Sequence, residues 1–189
     1  MVKIDFTRVL SAALASSAMA IYVTFIFSLF SEISKVEAIY SIIIGIVFLL
    51  VMPFLPLYYY KEYGYTDWDV TDRKKRPKLY GFKILGGFIA TILFYLINNM
   101  LMFKYSLIFS IVMIFLLLIN YYSKISLHSA GVTMGTLSLY LVYGGYSIIS
   151  LILIPVVCLI RLKMKAHSII QLIAGILVSG IITFIIYSI

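Results

Sequence analysis

The chain carries two histidines, His128 and His167, and each stands among residues suited to holding an anion. His167 closes the run Arg161-Leu162-Lys163-Met164-Lys165-Ala166-His167, and Gln171 follows four residues later. Positions four apart share one face of a helix, so Gln171 is placed to orient the imidazole and fix its tautomer. Arg161, Lys163 and Lys165 favour a bound anion, and the start of a helix adds the positive end of its dipole. His128 ends Lys124-Ile125-Ser126-Leu127-His128. There a hydroxyl suited to a phosphate oxygen stands two residues before an imidazole suited to a proton. A third cluster, Asp72-Arg73-Lys74-Lys75-Arg76-Pro77-Lys78, concentrates positive potential, and its planar guanidinium forks match phosphate oxygens. Each cluster alone also reads as juxtamembrane basic flanking or a polar surface histidine. Together they point to phosphate chemistry.

The elements that must position these residues are membrane-spanning helices. Of 189 residues, 63% are hydrophobic and only 12% charged, and the mean hydropathy is +1.12. Soluble domains are roughly 45–50% apolar and about 25% charged. The composition excludes a soluble globular domain, a disordered chain, a collagen and a disulfide scaffold. A span needs about 20 mostly apolar residues, so the chain has room for six or seven and no separate soluble domain. Continuous apolar runs without period-2 alternation predict helices rather than a barrel. The expectation is an all-α, polytopic transmembrane helical bundle: one integral membrane domain over 1–189, with a motif-bearing core over about 61–188. The predicted spans are 9–30, 38–58, 81–103, 105–122, 127–144, 146–160 and 168–188, with a tight hairpin at Lys104. The Ala18-Met19-Ala20 segment is a faint signal-peptide cue, but the apolar run continues to Phe30 and is read as one retained span. Gly131-x-x-x-Gly135 is a spacing for close helix packing. Cys158, alone in an apolar run, reads as a small hydrophobe and is expected to be buried.

Tracing these spans back and forth brings the segments 61–83, 124–128 and 161–167 to one membrane face. That face then holds every Lys and Arg except Lys35 and Lys104. The net charge of +8 reads as positive-inside bias together with phosphate binding, not as a nucleic-acid surface. After Asp72 the remaining 117 residues contain no Asp or Glu. Carboxylate-bound Mg²⁺ is therefore poorly provided for, and guanidinium groups are left to supply the positive charge. No metal and no cofactor is expected.

The combined pattern resembles the type 2 phosphatidic acid phosphatase superfamily, in a divergent prokaryotic branch. That family is marked by K-x6-R-P, P-S-G-H and S-R-x5-H-x3-D. Arg76-Pro77 matches the end of the first motif, Ser126-x-His128 matches the S-x-H of the second, and Arg161-x5-His167 has the spacing of the third. The resemblance spans about 69–171. Asp69 falls where the first motif has Lys, Ile125 and Leu127 where the second has Pro and Gly, and Ile160 and Gln171 where the third has Ser and Asp. The resemblance implies metal-free phosphoryl transfer in two steps. His167 attacks phosphorus to form a phosphohistidine, His128 protonates the leaving oxygen, and water releases phosphate. Gln171 replaces the orienting Asp. Arg76, Arg161 and Ser126 hold the phosphate oxygens, Lys124 is a further phosphate-binding cation, and Arg73 or Lys74 supplies the cation absent at position 69.

The expected substrate is a lipid phosphate or a polyprenyl phosphate or diphosphate, met at the boundary between membrane and water. The expected partners are that substrate and membrane lipids, with no nucleic acid; the oligomeric state stays open. The expected location is the plasma membrane, and the charge bias favours a cytosolic site. Three other readings are weighed. A non-catalytic lipid-phosphate binder or transporter on the same scaffold draws on Asp69 and Gln171. An intramembrane prenyltransferase draws on Asp67, Asp69 and Asp72 but lacks a second carboxylate motif. A structural membrane subunit leaves the histidine spacings unexplained.

Overall fold

The computed structural model describes residues 6–189; Lys3 and the side chain of Arg8, both counted in the charge pattern, lie outside the described residues. The described residues form helices and no strand: α1 (Phe6–Ala13), α2 (Ser16–Phe30), α3 (Lys35–Ile44), α4 (Met52–Glu62), α5 (Arg76–Leu96), α6 (Met100–Tyr122), α7 (Leu127–Tyr143), α8 (Leu153–Lys163) and α9 (Ile169–Ser188). A π-helical stretch, Gly45–Val51, joins α3 to α4 in one rod, and a 3-10 stretch, Gly144–Ile152, leads into α8. Among the described residues, five helical stretches are long and apolar enough to cross a membrane: Lys35–Glu62, Arg73–Leu96, Met100–Tyr122, Leu127–Lys163 and Ile169–Ser188. The chain is built as an integral membrane protein.

The packing is that of a bundle immersed in lipid. α9 turns Ile170, Ile173, Leu177, Ile181 and Phe184 outward, while Gly175, Ser179 and Thr183 are buried. α7 buries Ser129, Gly131, Thr133, Gly135, Thr136 and Ser138. Lipid tails are as apolar as leucine, so association relies on small residues that let backbones approach. A Cβ on Gly175 would lie 2.5 Å from Ser129 Oγ and 2.7 Å from the Ser126 carbonyl oxygen, so α9 seats directly on the start of α7. A Cβ on Gly131 would lie 2.5 Å from the Ser16 Cα, so α2 seats on α7 one turn further in.

The stretch Leu127–Lys163 is not one straight rod. It turns back at Gly144, and α8 returns along α7. Its two ends meet: Lys124 Nζ donates to the Ala166 carbonyl at 2.9 Å, and Ser126 N donates to the Gln171 carbonyl at 3.3 Å. Arg76, at the start of α5, donates through Nη1 to the Ile125 carbonyl at 2.9 Å. The starts of α5, α7 and α9 and the end of α8 thus gather at one end of the bundle.

Two expected boundaries move. The hairpin between α5 and α6 lies at Ile97–Asn99, not at Lys104. Asn98 adopts φ +57, a left-handed conformation that asparagine tolerates, and the Asn99 side chain accepts from Met102 N to cap α6. Lys104 lies inside α6, its ammonium 5.9 Å from the Tyr187 ring centroid. The first apolar run is divided, with Leu14 and Ala15 between α1 and α2.

Candidate functional site

A cavity of about 830 Å³ opens at the end of the bundle where these segments meet. Arg76, His128, Arg161 and His167 all line it. Each is held by its own local structure.

Arg76 lies in the first turn of α5, next to Pro77, a residue favoured where the helix offers no acceptor for an N–H. It is 6% exposed. Its Nε donates to the Val70 carbonyl and its Nη1 to the Ile125 carbonyl, both at 2.9 Å. The guanidinium thereby ties the loop before α5 to the segment before α7.

Arg161 stands in the last turn of α8 and is 1% exposed. Its Nη1 donates to Ser11 Oγ of α1 at 2.8 Å and lies 2.6 Å from Asp69 Oδ1. Its Nε is buried with no hydrogen-bond partner. Breaking a hydrogen bond to a charged group costs about 1.5–3 kcal/mol, so a buried guanidinium with an unmet donor is a standing demand for an anionic or carbonyl acceptor.

His167 lies between two helix ends. Beyond α8 the Ala166 N–H closes onto the Arg161 carbonyl at 3.0 Å, and Lys165 takes φ +51. Ser168 then caps α9 in a capping box with Gln171. Gln171 Oε1 accepts from Ser168 N at 3.3 Å and lies 2.9 Å from His167 Nδ1. Oε1 is an acceptor in both contacts, so Nδ1 carries the proton and Nε2 keeps its lone pair. His167 is 8% exposed. Burial, reinforced by the positive charges of Arg76, Arg161 and Lys124 and opposed by the Gln171 hydrogen bond, pushes its pKa down to about 4. The imidazole is neutral at pH 7.

His128 sits in the first turn of α7, on the cavity wall. Arg161, Lys83 and Arg76 place it in a positive field. No protein hydrogen bond to its ring is seen among the described residues.

The other expected site residues stand further back. Ser126 is fully buried, and its hydroxyl caps α7 by accepting from Ser129 N at 3.3 Å. Lys124 is bound to the Ala166 carbonyl; burial, with Arg76 and Arg161 nearby, lowers its pKa. Arg73 donates to the Asn120 and Tyr121 carbonyls at 3.3 and 3.1 Å, closing the end of α6. None of these three, and neither Lys74 nor Gln171, is among the residues lining the cavity.

The cation that does line the cavity, and that the motif spacing missed, is Lys83. It lies seven residues after Arg76 on the same face of α5, with Tyr80 between them. The i, i+4, i+7 pattern was the available signal. The cavity's apolar wall comes from Leu50, Pro53, Phe54 and Leu57, again one helical face, together with Ala15 and Ala18. Trp68 closes one side, stacked on Phe54 at a centroid distance of 6.2 Å, with Lys61 Nζ 5.2 Å from its ring. No family model, no curated protein and no solved structure matches the chain.

Proposed function

We propose that this protein is a membrane lipid-phosphate phosphatase, a divergent relative of the type 2 phosphatidic acid phosphatases. The observation that carries the reading is the convergence of His128, His167, Arg76 and Arg161, from segments far apart in sequence, on one cavity with a cationic end and an apolar wall. A phosphate fits the cationic end, and an acyl or prenyl chain fits the wall between α2 and α4.

The chemistry follows from the tautomer of His167. Nε2 attacks phosphorus as the P–O bond to the leaving group breaks, and protonated His128 gives its proton to the departing alkoxide or, from a diphosphate, to the departing phosphate. Water then attacks the phosphohistidine, giving a proton back to His128; the N–P bond breaks, the His167 imidazole is restored, and inorganic phosphate leaves. Arg76 and Arg161 stabilise charge on the phosphoryl oxygens, where phosphoryl transfer gains most of its acceleration. Ser126, Lys124 and Arg73 support the site by fixing the segments that carry these groups.

A second reading is supported by Asp69. Its carboxylate occupies Arg161 and its position lacks the family's lysine, as suits a protein that binds phosphate lipids without hydrolysing them. A panel of lipid mono- and diphosphates, assayed with wild type and His167→Ala, separates the two. Phosphate release lost in His167→Ala establishes the phosphatase; lipid binding without release in wild type establishes the binder.

In this reading α1 with α2, and the return from Gly144 through α8, also cross the membrane, giving seven spans. The charge bias favours a site on the cytosolic side of the plasma membrane. A cysteine placed at exposed Lys74 and labelled in sealed vesicles tests the side; reaction with an impermeant reagent only from outside reverses it.

A further inference from the structure

Lys83 is a cation that the phosphatase mechanism leaves unused. It lies about 10 Å further along α5 than Arg76, deeper in the bundle, and lines the same cavity as His128. Its Nζ donates to Ser17 Oγ at 2.8 Å and to Ser16 Oγ at 3.3 Å. No carboxylate reaches it: among the described residues the ion pairs are Lys61 with Glu62 and Arg161 with Asp69. Charged side chains within spans are costly and are retained where they face a partner or a polar cavity. Two hydroxyls solvate an ammonium but do not neutralise it.

The wall behind Lys83 is firm. Ser16 is pressed against Gly131 of α7, so α2 cannot slide inward to cover the amine. Each serine accepts from Lys83 through a lone pair and keeps an O–H to donate. Lysine and two hydroxyls together make an acceptor-seeking surface, one step deeper than the guanidinium pair and before the apolar wall.

We propose, resting on the phosphate reading above, that Lys83 with Ser16 and Ser17 holds a second anionic group of the ligand, so that the cavity selects a lipid diphosphate over a monophosphate. The outer phosphate meets Arg76, Arg161 and the histidines. The inner phosphate meets Lys83, and the chain continues along the wall formed by Leu50, Pro53 and Phe54.

The test uses the detergent-solubilised full chain with methylphosphonate and methylenediphosphonate, titrated by calorimetry. Wild type binds the diphosphonate roughly tenfold more tightly, the gain expected of one added charge-assisted contact. In Lys83→Gln that ratio falls to near one because the diphosphonate weakens, and in Lys83→Arg it is kept. Helical circular dichroism and melting of each variant establish that it is folded; should Lys83→Gln fail to fold, Ser17→Ala is the second variant and also lowers the ratio. A ratio near one in wild type, or an undiminished ratio in a folded Lys83→Gln or Ser17→Ala protein, overturns the inference while the phosphate reading stands. Failure of wild type to bind either probe overturns both. A farnesyl methylenediphosphonate that binds no better than the free diphosphonate overturns the assignment to a lipid.

Discussion

The carboxylate of Asp69 lies 2.6 Å from Nη1 of Arg161, so the guanidinium lining the cavity already holds an anion. A phosphate oxygen arriving at Arg161 competes with that carboxylate. Arg161 is 1% exposed, whereas the Asp69 side chain is 37% exposed, so the aspartate is the partner free to move away. Asp69→Asn is expected to tighten orthovanadate binding by about three- to tenfold, because a neutral amide yields to an anion more readily. The same change is expected to lower the stability of the empty protein by about 1–2 kcal/mol, a contribution reduced by the exposure of Asp69. Saturating vanadate should recover that loss. Thermal melts with and without vanadate check both; unchanged vanadate affinity in Asp69→Asn would show that phosphate does not meet Arg161.

Gln171 has two tasks, and substitutions separate them. It completes the capping box of α9 and accepts the proton on His167 Nδ1. Gln171→Leu removes both and is expected to cost about 1 kcal/mol in stability, with at least roughly tenfold in turnover as the tautomer is released. Gln171→Glu keeps an acceptor at the same length and is expected to retain the fold and most of the turnover. Steady-state assays beside thermal melts read the two effects. Equal turnover in wild type and folded Gln171→Leu would remove Gln171 from the mechanism.

The membrane bundle, the histidine pair and the two arginines were legible in the sequence because each rests on a local signal. Long apolar runs can only be helices in lipid, and Arg161-x5-His167 carries its spacing within one turn and one cap. The capping box Ser168-x-x-Gln171 was equally local. Lys83 shares a helical face with Arg76 and Tyr80, but that this face lines a cavity depends on α2 packing on α7 through Gly131, a contact between segments distant in the chain. Ser11 and Asp69 as partners of Arg161 are hidden for the same reason. Ser126 and Arg73 read as phosphate ligands because their chemistry suits an anion. The backbone groups they satisfy, Ser129 N and the last carbonyls of α6, become visible only with the helix ends in place.

Removal of divalent metal should leave activity intact. The carboxylates lining the cavity are Asp67 and Asp69 among the described residues. Asp67 Oδ1 accepts from Thr71 N at 2.9 Å, and Asp69 is held by Arg161. A Mg²⁺ ion would have to share these two carboxylates with the contacts they already make, in competition with two guanidiniums. Phosphate release measured before and after EDTA is expected to differ by less than about twofold, within the scatter of surface effects of ionic strength. Strict dependence on Mg²⁺ would favour the prenyltransferase instead.

His167 also makes stability depend on pH. Its pKa in the folded protein is about 4, below the ordinary 6.5, because burial and the neighbouring cations Arg76, Arg161 and Lys124 oppose its charged form. Above about pH 6.5 the imidazole is neutral in both folded and unfolded chains and contributes no slope. Between 6.5 and 4 the unfolded chain takes up a proton that the folded site resists, so stability falls as the pH is lowered through this window. Below about 4 both states are protonated and the slope ends. Melting temperatures of wild type and His167→Asn, taken from pH 7.5 to 4 in one detergent, should diverge: the wild type declines more steeply, and the two curves run parallel above 6.5. Bound vanadate supplies negative charge beside the ring, so it should raise the pKa of His167 and flatten the wild-type decline. Identical slopes in both proteins would mean that His167 is not enclosed with the two guanidiniums, and the site as described would not exist.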